Sequence, residues 1–351
     1  MPLNGYPHNP ATFVISLDFE LHWGVRDVKT AAQYRENLLG VRRVVPALLA
    51  TFAEYGIHAT WATVGFLFFS NRAELLASLP DLRPSYDDMR LSPYLDMKIL
   101  GRDEDDDPFH FGRSLIDQIR SYPGQEIATH TFSHYFCLEP RQSLAAFRAD
   151  LKAAIAAAAN LGIKLISIVF PRNQYDLSHL DVCRRMGLKA FRGNQHSWLY
   201  HPRATARETP WLRAARLVDS YWDLSSHDCY PLADRGREPL LNLRASRFLR
   251  PYVPHMPALQ ALQERRILAD MAYAAERGWV YHLWWHPHNF GAHLEQNMSL
   301  LRRILNQFRI MRQRCGMKSM NMAELTSLML SFPELQDHGD KQEDRLVGQA
   351  G

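Results

Sequence analysis

Cysteine is scarce in this chain: four occur in 351 residues, at positions 137, 183, 229 and 315, and no two form a Cys-x-x-Cys pair. That spacing excludes a zinc knuckle and a disulfide framework, and it fits a reducing compartment. No apolar run approaches the length that spans a bilayer, so membrane insertion is not expected. The first ten residues have neither the basic nor the apolar region of a secretion signal, and a cytoplasmic location is expected. An excess of one charge sign is also missing. The formal net charge of +4 is spread along the chain. The arginine-rich stretches 203–216 and 235–250 are interleaved with Leu, Trp and Pro, and read as solvated insertions rather than a nucleic-acid surface. Oligomeric state is left open.

What is present is an ordinary soluble composition, 46% hydrophobic and 22% charged, long enough for one large α/β domain. Apolar, β-branched runs alternate with helix-like segments in six or seven units, the pattern of parallel strands joined by crossover helices. Strands are predicted at about 12–19, 58–64, 126–129, 164–170, 189–191, 279–285 and 318–322. Helices are predicted at about 31–55, with Gly56 as its stop, and at 143–161, 256–277 and 293–314. Two insertions, about 70–120 and 195–260, interrupt the alternation. One catalytic domain over 1–335 with a polar, frayed tail at 336–351 is expected. The acidic run 103–107 lacks the alternation and glycine of a calcium loop and reads as a solvated turn.

The chemistry concentrates after the predicted strands, where open α/β sheets and α/β barrels place their sites. Asp18 and Glu20 are two apart at the end of the first strand, so both carboxylates share a face. His130 and His134 are four apart, and one helical turn or helical loop would put both rings on one side. Two imidazoles with a carboxylate and open positions describe a catalytic metal site, with the second carboxylate free to act as a general base. His282, His286 and His288 could share a strand face, but Pro287 interrupts it, and a second metal site there is not expected.

With these blocks in view, the chain resembles the polysaccharide deacetylase family, the NodB-homology carbohydrate esterases, over about residues 12–330. Five blocks follow the family's order: Asp18 to Glu20, His130 to His134, Phe170 to Arg172, Arg192 to Trp198, and Leu283 to His286. The resemblance implies a distorted (β/α)7 barrel with two large loop insertions. It also implies a hydrolase that removes an N-acetyl group from an amino sugar with one divalent metal, zinc first, with cobalt, nickel or iron open. Carried across, Glu20, His130 and His134 are metal ligands, Asp18 the base and His286 the acid, with exchange of the Asp18 and Glu20 roles as the alternative. The chain has Asp-x-Glu where the family commonly has adjacent aspartates. Arg172 would orient the base, although it follows Pro171 where the family places its arginine before the proline. Asn173, Gln174, Trp198 and Asn289 are candidate substrate contacts, Trp198 being either a wall of the acetyl pocket or a core residue. The expected substrate is a nucleotide-linked or lipid-linked amino sugar of surface polysaccharide biosynthesis. An amidase acting on another C–N bond and a non-catalytic carbohydrate-binding protein are the other readings.

Overall fold

The computed structural model describes residues 10–222 and 225–331; the N-terminal residues read above for a signal and the tail 336–351 lie outside them. Among the described residues, ten strands form one curled sheet: β1 Thr12–Phe19, β2 Ala59–Thr63, β3 Gln125–Thr129, β4 Ser167–Ile168, β5 Ala190–Phe191, β6 Tyr230–Pro231, β7 Leu241–Asn242, β8 Arg247–Phe248, β9 Trp279–Trp285 and β10 Lys318–Ser319. Their order is β6-β9-β1-β2-β3-β4-β5-β7, with β10 on β1 and β8 on β9. All pairs are parallel except β6 with β9. The stretch 241–248 bonds to β5 at its start and to β9 at its end, bridging two sides of the curl.

Among the described residues, nine α-helices accompany the strands: α1 Arg35–Tyr55, α2 Arg72–Ala77, α3 Arg113–Arg120, α4 Leu144–Ala159, α5 Leu177–Arg185, α6 Pro210–Asp219, α7 Pro257–Arg277, α8 Leu294–Cys315 and α9 Met322–Ser331. β1 is buried along its whole length, as its nearly unbroken apolar run requires of a central parallel strand. α1 stops at Gly56, whose φ of 64° is the left-handed conformation that glycine adopts without steric cost.

Several expectations shift. α1 begins at Arg35 rather than near 31. The run 164–170 yields only the ladder Ser167–Ile168, and Pro171, which has no N–H, bars its continuation. The 318–322 strand is reduced to two residues, and an unforeseen helix, α9, follows it. α9 packs Met322, Leu325 and Met329 against Val14, Ala62 and Ala128, closing one end of the sheet.

The register places the site. Phe19, Thr63, Thr129, Ile168 and Phe191 pair in one row across five strands. Glu20, His130 and Arg192, each one residue further on, therefore emerge at the same carboxyl-end edge.

Candidate metal centre and catalytic cleft

Glu20 and the two histidines of the 130–134 segment meet at that edge. His134 Nε2 lies 3.1 Å and His130 Nε2 3.3 Å from Glu20 Oε2. The three ligand atoms fall within 4.8 Å of one another, and all three residues are buried. Among the described residues, no other group of His, Cys, Asp or Glu could hold a metal ion in this way. Neither the acidic run 103–107 nor the trio His282, His286 and His288 forms one.

The histidine segment is not a helical turn. Thr131 and His134 both have left-handed backbones, with φ of 63° and 57°, and this irregular loop brings the two ring centroids to 5.0 Å. α4 holds the loop from behind. The Asp150 carboxylate accepts from the Phe132 N–H at 2.7 Å, from the Ser133 N–H at 3.2 Å and from the Ser133 hydroxyl. Burial pushes the Asp150 carboxyl up to about 7.

The donor set fits a divalent cation. His130 Nδ1 sits 2.9 Å from the Val169 carbonyl, so it donates there and turns the lone pair of Nε2 toward Glu20. That leaves a nitrogen acceptor facing an oxygen acceptor in a buried corner, an arrangement a cation completes. Burial lowers the His134 pKa to about 4, keeping it in the neutral form that ligation requires. Gly24 faces Glu20 so closely that an added Cβ would lie 1.9 Å from its carboxyl carbon; any larger residue would displace this carboxylate.

Asp18 stands beside this corner in a grip of its own. Arg192 donates from Nη1 to Oδ1 at 2.7 Å and from Nη2 to Oδ2 at 2.8 Å, a two-pronged pair buried on both sides. The guanidinium also lies over the Trp284 ring, 4.1 Å from its centroid. Burial alone would raise the Asp18 pKa, but Arg192, His130 and His286 outweigh it and hold the carboxyl below its ordinary range. The same opposition, led by His286, His130 and His134 against burial, holds Glu20 well below its range. His286 spans both carboxylates, its Nε2 being 3.7 Å from Asp18 Oδ2 and 3.6 Å from Glu20 Oε1. It is 23% exposed and faces the cleft.

The other expected residues are placed as follows. Arg172 does not hold Asp18 as anticipated; it pairs with Asp27 and donates to Thr205 Oγ1 at 2.8 Å, and Arg192 occupies the orienting position. Asn173 Oδ1 is 3.5 Å from Arg192 Nη2. Gln174 is buried, donating to Glu139 at 2.7 Å and accepting from the Leu138 N–H at 3.1 Å, and it lines a cavity of about 790 Å³. Trp198 is 64% exposed and so is not a core residue. The site tryptophan is instead Trp284, which packs against both Arg192 and His286. Asn289 accepts from the Tyr34 hydroxyl at 3.3 Å and lies 3.5 Å from His286 Nδ1. His288, which carried no assigned role, is buried with Nδ1 3.8 Å from Glu20 Oε1 and no hydrogen-bond partner. His282 lies deeper on the same side of β9, its Nε2 2.8 Å from Ser16 Oγ, the hydroxyl that also accepts from Arg192 Nη1 at 3.1 Å. Arg192 and His288 follow strand ends as the named residues do, and that position was the available signal for both.

Two further readings change. Asp107, expected to be solvated, is buried and bonds His110 Nδ1 at 2.9 Å, while His110 Nε2 meets His22 Nδ1 at 2.9 Å. Arg247, in a stretch read as solvated, is also buried.

A cleft of about 440 Å³ opens onto Glu20, His286 and His288, with Lys29, Tyr34 and Phe248 on its walls. A second cavity of about 790 Å³ shares Val28 and Arg172 with it.

No family model and no curated protein matches the sequence. Solved structures do match the fold. A putative polysaccharide deacetylase from Mycobacterium smegmatis aligns with a TM-score of 0.59 at 14% identity, over 97% of this chain and 98% of that one. The two share a fold. The Puue allantoinase aligns with a TM-score of 0.49 at 10% identity, over 92% and 91% of the two chains. The Xyl-CE4 domain of a multidomain xylanase from the Trinervitermes trinervoides hindgut metagenome aligns at 0.41 and 11%, over 93% and 95%.

Proposed function

We propose that this chain is a metal-dependent hydrolase that removes an N-acetyl group from an amino sugar, in one catalytic domain built as a distorted (β/α)7 barrel. The observation that carries this reading is the meeting of Glu20, His130 and His134 beside an ionised Asp18 and a cleft-facing His286. The shared fold with the M. smegmatis protein supports it. A divalent ion held by Glu20, His130 and His134, zinc first by ligand type, would polarise the acetamide carbonyl and acidify the attacking water.

The chain's own residues do the rest. Arg192 keeps Asp18 charged and fixes its oxygens, so Asp18 accepts the water proton without first having to ionise. His286, at the cleft mouth between the carboxylates and solvent, delivers a proton to the departing amine nitrogen. Orientation of the base belongs to Arg192 rather than Arg172. Asn289 and Tyr34 position the imidazole of His286. Asn173 remains a candidate substrate contact, and Arg172 lines the cleft as another. The substrate is a nucleotide-linked or lipid-linked amino sugar, met in the cytoplasm.

The test joins metal analysis to an acetate-release assay on N-acetylated amino sugars. Stoichiometric metal with acetate release is the expected outcome; product other than acetate, or no bound metal, would overturn the reading. His286→Ala should lower kcat by about 10²-fold or more while metal content is unchanged.

A further inference from the structure

The insertion around α6 leaves an apolar face uncovered. Trp211 is 84% exposed, Trp222 51%, and Val218 and Leu217 more than 40% each. On a helix, 211, 214 and 218 lie on one side, and Ala214 there is exposed as well. Trp198, on the turn Trp198–Tyr200 that packs against α6, adds a third exposed indole.

Within residues 198–222, the exposed charge beside this face has one sign. Arg213 borders it next to Leu217, and Arg207 precedes the helix; both are exposed. The carboxylates within 198–222 are accounted for elsewhere: Glu208 pairs with Arg216 at 2.8 Å, and Asp219 is fully buried beside Arg247. Asp223, next in sequence, lies outside the described residues.

We infer that α6 is a peripheral docking face for an anionic phospholipid surface, with Trp198, Trp211 and Trp222 seated at headgroup level and Arg207 and Arg213 against the phosphates. Indoles favour that level because one ring edge is apolar and the N–H stays wet. A second copy of the chain fits the face poorly, because a two-fold contact would bring the arginines of both copies together. An anionic sheet neutralises them. No described helix is long and apolar enough to cross a membrane, so the chain would lie on the surface rather than span it.

The placement has a use. Arg203, Arg213 and Arg216 also line the 790 Å³ cavity that adjoins the catalytic cleft. α6 therefore stands between the docking face and that cavity, which keeps the cavity close to the lipid surface. On the hydrolase reading above, the chain would then draw a lipid-linked amino sugar from it.

The test is co-sedimentation of the full chain with vesicles of phosphatidylcholine alone or mixed with phosphatidylglycerol. Binding to the mixed vesicles is expected, weakened at high salt. It should fall roughly tenfold, about 1.4 kcal/mol, in Trp211→Ser/Trp222→Ser and in Arg207→Glu/Arg213→Glu. Both double variants change exposed side chains, and an unchanged thermal midpoint verifies folding. Three outcomes would overturn the inference: no binding to mixed vesicles, binding unaffected in both variants, or a concentration-dependent dimer that the tryptophan variant abolishes. Sedimentation reads binding without turnover, so it can fail while the hydrolase reading stands, and the converse also holds.

Discussion

Asp18 and Asp270 each meet a buried guanidinium, Asp18 through Arg192 and Asp270 through Arg247. Around Asp270 the partners close on every side. Arg247 donates to Asp270 Oδ2 at 2.9 Å and to Asp219 Oδ2 at 3.2 Å, and His227 takes Asp270 Oδ1 at 2.7 Å. Tyr200 and Ser225 add hydrogen bonds to Asp219. Around Asp18 the grip is one-sided. Its far side faces His286 at 3.7 Å, and His286 and Glu20 in turn line the cleft. A buried ion pair alone is therefore no mark of a site, since both regions have one. The mark is a pair whose remaining valence points at a cavity, next to polar atoms such as His134 Nδ1 and His288 Nδ1 that lack partners.

The comparison breaks most visibly at the metal corner. His134→Ala should reduce bound metal to background and abolish acetate release with little loss of thermal midpoint, as read by metal analysis and melting. Retained metal would show that Glu20 and the histidines are merely a hydrogen-bonded core.

Replacing each arginine by Met sharpens the contrast. Arg247→Met strands buried carboxylates and should cost about 3–5 kcal/mol of stability, measured by denaturant unfolding, while kcat per folded molecule holds. Arg192→Met should add a kinetic signature. Arg192 holds the Asp18 pKa down, so its removal lets Asp18 take up a proton at higher pH. The acid limb of kcat/KM should then move upward in pH. An unmoved limb would mean that Asp18 is not the group that must be ionised.

The smallest effect concerns Asp150. Its folded-state pKa of about 7 lies above the ordinary 3.8, so the folded loop prefers the protonated carboxyl. That contribution is fully present below about pH 4 and is lost as pH rises through about 7. The melting temperature of the wild type relative to Asp150→Asn should therefore fall across that window. A constant difference would place the ionisation elsewhere.

Much of the site was legible because the strand ends are local features. A run such as 279–285 announces its strand, and a polar residue at or just past its end announces the edge; Asp18 near the end of β1 and Glu20, His130 and His286 directly after β1, β3 and β9 satisfy that rule, and His134 follows in the same loop as His130. What could not be read was which arginine crosses the sheet. Arg172 and Arg192 both follow strands, and only the pairing of β4 with β5 turns Arg192 toward β1. The left-handed residues of the histidine loop were hidden as well, because their conformation is imposed from α4 through Asp150. Trp198 and Trp284 show the same limit: composition offers eight tryptophans, and packing decides which of them meets the site. α9 left no expectation because its apolar residues cover the sheet's end rather than a face.

The central strand also sets a timetable. β1 pairs with β2 on one side and with β9 on the other, partners separated by more than two hundred residues of chain. Until residues 279–285 have been synthesised, one edge of this fully buried strand has no partner, an invitation to pairing with other chains. His286 and His288 arrive with that same closing strand. A nascent chain thus carries an aggregation-prone edge for most of its synthesis, and the step that covers this edge also delivers the last residues of the candidate cleft.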